Sequence, residues 1–181
     1  MRNVLASGAA LRRFFAALVE HAFFSQLGIA DVRLGDYVTD MLCRFVRMDA
    51  ICGLRDMEGR RLEEVAEMLA EAGGPLVSKR RERAVHKHIG DFVLFWTGVY
   101  PEFLSRLRAP GKKDHLVDYV AQGRRSYYIA STFDFEAVRG EARTLRRLSE
   151  ELELCAFGLS LVRRGWESLA PEDYRRFRRR W

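Results

Sequence analysis

The sequence has no long hydrophobic run and little of what marks a secreted protein. The longest stretch without Asp, Glu, Lys, Arg or His is the ten residues 92–101, whereas a membrane-spanning helix needs about 20 apolar residues. An apolar N-terminal stretch imitates a signal peptide, but Arg12 and Arg13 interrupt it and helical spacing continues beyond them. We therefore expect no transmembrane segment and no secretion.

Cysteine is scarce. The three residues, Cys43, Cys52 and Cys155, are odd in number and lack the spacing of a zinc site or a C-x-x-C motif. Each lies in an apolar helical pattern, where a free cysteine behaves as a small core residue. This usage favours a reduced protein of the cytoplasm.

Alternating strand patterns and Asn-Gly or Asp-Gly turns are also missing, which argues against β structure. Apolar residues instead recur at helical spacing between the four prolines. The longest such series alternates steps of three and four and predicts one continuous helix: Leu145, Leu148, Leu152, Cys155, Leu159, Val162 and Trp166. The sequence thus predicts an all-α, single-domain bundle of six or seven mostly antiparallel helices with essentially no β structure.

The expected boundaries follow from caps and breakers. Gly28 should end the first helix, and the second should begin near Asp36. Ser78 should cap a long central helix, and Asp114 should cap the helix that contains Tyr119. We expect the bundle to span residues 1–170, and the basic-aromatic segment 171–181 to form a tail or a last helical turn.

No known catalytic signature occurs: G-x-S-x-G, a Walker loop, H-E-x-x-H and G-x-G-x-x-G are all absent. The polar residues of most interest are two H-x-x-D pairs, His88 with Asp91 and His115 with Asp118. Residues three apart share a helix face, so two adjacent pairs would supply four ligands for a divalent transition metal. The alternatives are a buried polar network and carboxylates at helix starts.

The net charge of +6 suggests an anionic partner, but 27 of the 31 basic residues are arginine, as in a GC-rich bacterial genome. Most arginines are interleaved with acids and predict a solvated surface. Two clusters remain as candidate anion-binding or partner-binding sites: Arg124, Arg125 and Tyr128, and the C-terminal Arg175, Arg176, Arg178, Arg179 and Arg180.

Three functional hypotheses follow. The first is a non-enzymatic interaction protein that needs no cofactor and binds a protein partner or a second copy of itself. The second is a metal-dependent or cofactor-dependent enzyme centred on the two H-x-x-D pairs. The third is binding of nucleic acid or an anionic surface through the C-terminal arginines, which is the less favoured role because the charge is confined to one short segment.

Overall fold

The computed structural model of the chain describes residues 8–47, 53–136 and 139–179. Over these ranges the fold is all-α, as predicted, with an isolated bridge between Arg55 and Arg61 and no strand. The described part contains nine α-helices: α1 Gly8–Val19, α2 Val32–Phe45, α3 Val65–Ala72, α4 Lys79–Val99, α5 Leu104–Leu107, α6 Tyr119–Ser131, α7 Arg139–Glu150, α8 Leu152–Leu169 and α9 Pro171–Arg178.

The first two helices are joined by a short turn. A π-helical segment, Glu20–Gln26, continues α1, and Gly28 follows with a φ of +69°, a conformation that favours glycine and ends the helix as predicted. Helix α2 begins at Val32, earlier than expected, because the side chain of Asp31 accepts a hydrogen bond from the Leu34 amide at 3.1 Å.

Helix α4 is the central element, and most of its length is buried. Ser78 caps it as predicted by accepting a hydrogen bond from the Arg81 amide. Gly90 of α4 lies against the ring of Tyr127, where a Cβ atom would come within 2.5 Å of the ring, and Gly123 lies against Val93. From Gly90 to Val93 along α4, the contacted residue of α6 moves back from Tyr127 to Gly123, so α4 and α6 are antiparallel.

The prediction of one long C-terminal helix from the heptad series is wrong in one respect. The chain breaks at Glu151, with φ of −114° and ψ of 27°, into α7 and α8. Arg124 donates hydrogen bonds to the carbonyls of Ser149 and Glu150, each at 3.1 Å, and thereby caps the end of α7. All seven residues of the series are nevertheless at most 1% exposed. This break and the separate helices α5 and α9 raise the helix count above six or seven.

Two further features complete the fold. Among the described residues, no helix is both long and apolar enough to cross a membrane. Of the cysteines, Cys155 is fully buried, Cys43 is half-buried and Cys52 lies outside the described ranges. Burial raises the pKa of the Cys155 thiol to about 12, so this group stays protonated near neutral pH.

Candidate functional site

The four candidate metal ligands are not brought together. His88 packs between the rings of Phe45 and Phe92, at centroid distances of 5.8 and 6.4 Å. His115 is exposed, and its Nδ1 hydrogen-bonds the carbonyl of Arg108 at 2.8 Å.

The antiparallel packing of α4 and α6 gives the physical reason. It places Asp118 near the C-terminal end of α4, about 10 Å along the axis from Asp91 at 1.5 Å per residue. Asp118 also caps α6 by accepting a hydrogen bond from the Ala121 amide. In the part of the chain that the structure describes, no three His, Cys, Asp or Glu residues are grouped so as to hold a metal ion.

Asp91 instead lies at the centre of a buried polar cluster. Its side chain is 2% exposed. Tyr37 of α2 and Tyr127 of α6 both donate their hydroxyl hydrogens to Oδ1, at 2.6 and 2.9 Å, and Arg44 of α2 donates to Oδ2 at 3.0 Å. One carboxylate therefore ties together three helices.

The two tyrosines are suited to this role because they remain neutral donors. Burial, followed by the charge of Asp91, raises the pKa of Tyr37 and of Tyr127 well above the usual value. Burial of Arg44 opposes its charged form, but Asp91 outweighs this effect and raises the pKa of the guanidinium. All three partners consequently keep their protons over the whole physiological range.

A second row of charges extends this cluster toward α7. Glu141 accepts hydrogen bonds from Arg83 at 2.9 Å and from Lys87 at 2.8 Å. Burial disfavours the Glu141 carboxylate, but the two cations prevail and lower its pKa. The Lys87 ammonium also lies 5.2 Å from the centre of the Tyr37 ring. Four helices thus meet through one connected network, which matches the buried polar network given above as the alternative for Asp91.

Sequence reasoning missed most of this cluster. Tyr37, Arg44 and Glu141 were not among the candidate residues. One signal was present, since Arg83, Lys87 and Asp91 are spaced four apart and therefore lie along one side of α4.

Asp114 forms a second buried polar cluster, and its predicted role is wrong. It does not cap α6, because residues Lys113–Leu116 form a separate 3-10 turn and Asp118 takes the capping position. Asp114 is 0% exposed and accepts hydrogen bonds from the amides of Val65 and Ala66, each at 2.8 Å, at the start of α3. The hydroxyl of Tyr119 donates a third bond at 2.6 Å. The aspartate caps a helix 49 residues away in sequence.

The candidate anion site at Arg124, Arg125 and Tyr128 is largely used within the fold. Arg124 caps α7 and pairs with Glu153 at 3.3 Å. The guanidinium of Arg146 lies over the ring of Tyr128, 4.3 Å from its centre. Arg125 is exposed. Tyr127 is 0% exposed and Tyr128 is 46% exposed, as expected for adjacent tyrosines on one helix.

The C-terminal segment is a docked amphipathic helix over its described part. Tyr174 and Phe177 of α9 are buried against Trp166, with ring centroids 5.0 and 5.2 Å away. The guanidinium of Arg178 lies over the Tyr100 ring at 5.6 Å. Three more of the predicted arginines are exposed: Arg175, Arg176 and Arg179. Arg180 lies outside the described ranges.

The outer face of α8 carries apolar side chains that lack cover. Leu154 is 42% exposed and Phe157 is 51% exposed, one helical turn apart, and the partly buried Leu161 continues the same line. Glu150, at the end of α7, precedes this stripe, and the exposed Arg164 follows it. Leu154, Phe157, Leu161 and Arg164 are spaced by three, four and three, so they share one face of α8, and Glu150 lies just before the break at Glu151. These five residues are here called the outer stripe.

Searches against protein-family models, curated proteins and solved structures found no significant match to this chain. Its class therefore rests on the fold itself, an all-α protein of packed helices with two buried carboxylate clusters. Any function must be argued from the surfaces and sites described above.

Proposed function

We propose that this protein is a non-enzymatic interaction module and that it pairs with a second copy of itself through the outer stripe. The observation that carries the proposal is the exposure of Leu154 and Phe157 on a helix whose opposite face is fully buried. Large apolar side chains exposed next to each other on a regular helix are typical of a contact surface.

The order of residues along the stripe argues for a second copy rather than another partner. In an antiparallel pair of α8 helices centred on Phe157, Leu154 of one copy faces Leu161 of the other. The same operation brings Arg164 of one copy to the α7–α8 break of the other, beside which Glu150 lies. The stripe is therefore complementary to itself in both apolarity and charge, as a twofold interface requires.

The charges at its ends are free to take new partners. Glu150 pairs with Arg146 at 3.1 Å, but both side chains are about half exposed or more, at 62% and 48%. Such exposed pairs contribute little to stability and exchange readily. No described acidic side chain forms an ion pair with Arg164.

The small number of apolar residues limits the strength of this contact. A stable interface buries about 800 Å² on each partner, and three apolar side chains cover only part of that area. We therefore expect a weak dimer, with a dissociation constant of the order of micromolar.

The buried clusters support a non-enzymatic role, because Asp91 and Asp114 each accept three hydrogen bonds from the fold itself.

Sedimentation equilibrium tests this proposal over protein concentrations of about 0.1 to 50 μM, which bracket a dissociation constant of about 1 μM. Wild-type protein should form dimers. Arg164→Glu should weaken dimerisation by about tenfold or more, because the new carboxylate would face that of Glu150 on the other copy. The double variant Glu150→Arg with Arg164→Glu reverses both charges and should restore the pairing.

Leu76→Lys provides a matched control, because Leu76 is 82% exposed but lies outside the outer stripe. It should leave the dissociation constant unchanged. A monomer at every concentration would overturn the proposal. Failure of the double variant to recover dimerisation would overturn the antiparallel arrangement.

A further inference from the structure

A basic cavity lies between the start of α2 and the middle of α7, away from the outer stripe. Its volume is about 460 Å³, and Arg33, Arg143, Arg147, Asp31 and Thr144 contribute to its lining. This volume is within the range of small-molecule sites, roughly 300 to 1,000 Å³.

The charged groups of the cavity leave a positive surplus. Asp31 is already engaged, since it accepts hydrogen bonds from the Leu34 amide at 3.1 Å and from Arg147 at 2.8 Å. Burial disfavours the charged carboxylate, but these two donors outweigh it and lower the pKa of Asp31. Among the described residues, no acidic side chain forms an ion pair with Arg33 or Arg143. Arg147 pairs with both Asp31 and Glu151, so the positive surplus of the cavity comes from Arg33 and Arg143.

Arg147 is held in place for a role in this cavity. Its Nη1 donates to Asp31 and its Nε donates to Glu151 at 3.0 Å, so the guanidinium plane is fixed from two sides. A guanidinium fixed in this way presents its remaining N–H groups in a defined direction, which favours binding of a phosphate over binding of a mobile counterion.

Thr144 adds a hydroxyl group to the wall of the cavity. The residue is 7% exposed, yet no described group forms a hydrogen bond with its hydroxyl. The other buried or half-buried helical threonines behave differently: Thr39 donates to the carbonyl of Gly35 at 2.8 Å, and Thr97 donates to that of Val93 at 2.7 Å. Because Thr144 lines the cavity, its hydroxyl is a donor available to an occupant.

From this arrangement we infer that the cavity binds a small ligand that carries a phosphoryl group. Arg33 and Arg143 bind its oxygens from the open side, Arg147 binds from the fixed side, and the Thr144 hydroxyl donates from the buried wall. The start of α2 adds the favourable end of a helix dipole. This role is independent of the dimer, since neither α2 nor the cavity residues of α7 belong to the outer stripe.

Calorimetric titration of the full chain with inorganic pyrophosphate at constant ionic strength tests the inference. We expect saturable binding to one site. Arg143→Ala should weaken binding by about tenfold or more, because it removes a charge-assisted contact. Thr144→Val, which keeps the side-chain shape, should weaken binding by about threefold to tenfold, the effect of one lost hydrogen bond.

Two controls make the outcome decisive. Arg13→Ala removes an exposed arginine of α1 that does not line the cavity, and it should leave pyrophosphate binding unchanged. Citrate, a carboxylate of similar charge, should bind more weakly than pyrophosphate. Absence of saturable binding, an equal loss on Arg13→Ala, or equal binding of citrate would each overturn the phosphoryl site. Because the dimer is measured separately by sedimentation, failure of one proposal does not affect the other.

Discussion

The Asp91 cluster and the outer stripe are opposites. Around Asp91, polar groups lie in the interior, and each oxygen of the carboxylate has a donor from another helix. Along the outer stripe, apolar groups lie at the surface, and Leu154 and Phe157 are 42% and 51% exposed. The buried polar cluster is complete within one chain, whereas the apolar side chains of the stripe are left about half exposed to solvent.

This difference shows where function is to be sought in this molecule. Histidines and aspartates draw attention in a sequence because they can bind metals or move protons. Here the Asp91 carboxylate instead accepts hydrogen bonds that join α2, α4 and α6. We propose that interaction with other molecules falls instead to the exposed apolar side chains on α8 and to the basic cavity that Thr144 lines.

The largest effect on stability should come from Asp91→Ala. Removing the carboxylate leaves the hydroxyls of Tyr37 and Tyr127 buried without an acceptor, and losing one partner of a buried polar cluster costs about 3 to 5 kcal/mol. Urea unfolding followed by circular dichroism measures this loss. Asp91→Asn keeps an acceptor oxygen and should lose less. A loss below about 1 kcal/mol for Asp91→Ala, the size of a single neutral hydrogen bond, would contradict a central role for the cluster.

A smaller effect is expected for Tyr127→Phe. The ring still fills its space against Gly90, and only the hydrogen bond to a charged acceptor is lost, a change of about 1.5 to 3 kcal/mol. The same urea titration measures it. Tyr128→Phe is the matched control, because the neighbouring ring is 46% exposed and lies outside the cluster. Equal effects of the two substitutions would show that the bond to Asp91 contributes nothing particular.

The smallest effect on stability should come from Phe157→Ala in the outer stripe. Phe157 is half exposed, so we expect the free energy of unfolding of the monomer to change by about 0.5 kcal/mol or less. Leu159→Ala, two residues away on the buried face, should cost about 2 to 5 kcal/mol. Thermal unfolding at low protein concentration compares the two. A large loss for Phe157→Ala would show that the stripe belongs to the core and would remove the contrast.

Much of the fold could be predicted because helical periodicity and caps are local properties. The seven-residue series from Leu145 to Trp166 is buried throughout, Gly28 ends a helix, and Ser78 begins one. The break at Glu151 could not be predicted this way, because Arg124, which caps the end of α7, lies 25 residues before its acceptor Ser149.

The site residues were harder to predict for the same reason. Periodicity shows which face of a helix is apolar, but it does not show which helices are neighbours, so nothing local to Asp114 indicates that it caps α3. The outer stripe was visible in principle, since its steps of four and three repeat those of the buried series. It is easily overlooked because the two series interleave along α8 and the buried one is longer.

The position of Asp91 also bears on how the chain folds. Its partners Tyr127, Arg44 and Tyr37 lie 36, 47 and 54 residues away, so none of these bonds forms early through local contacts. An intermediate in which α4 is packed against only one neighbour would hold a desolvated carboxylate short of donors. Such an intermediate is costly, and helices α2, α4 and α6 therefore assemble and come apart as one cooperative unit.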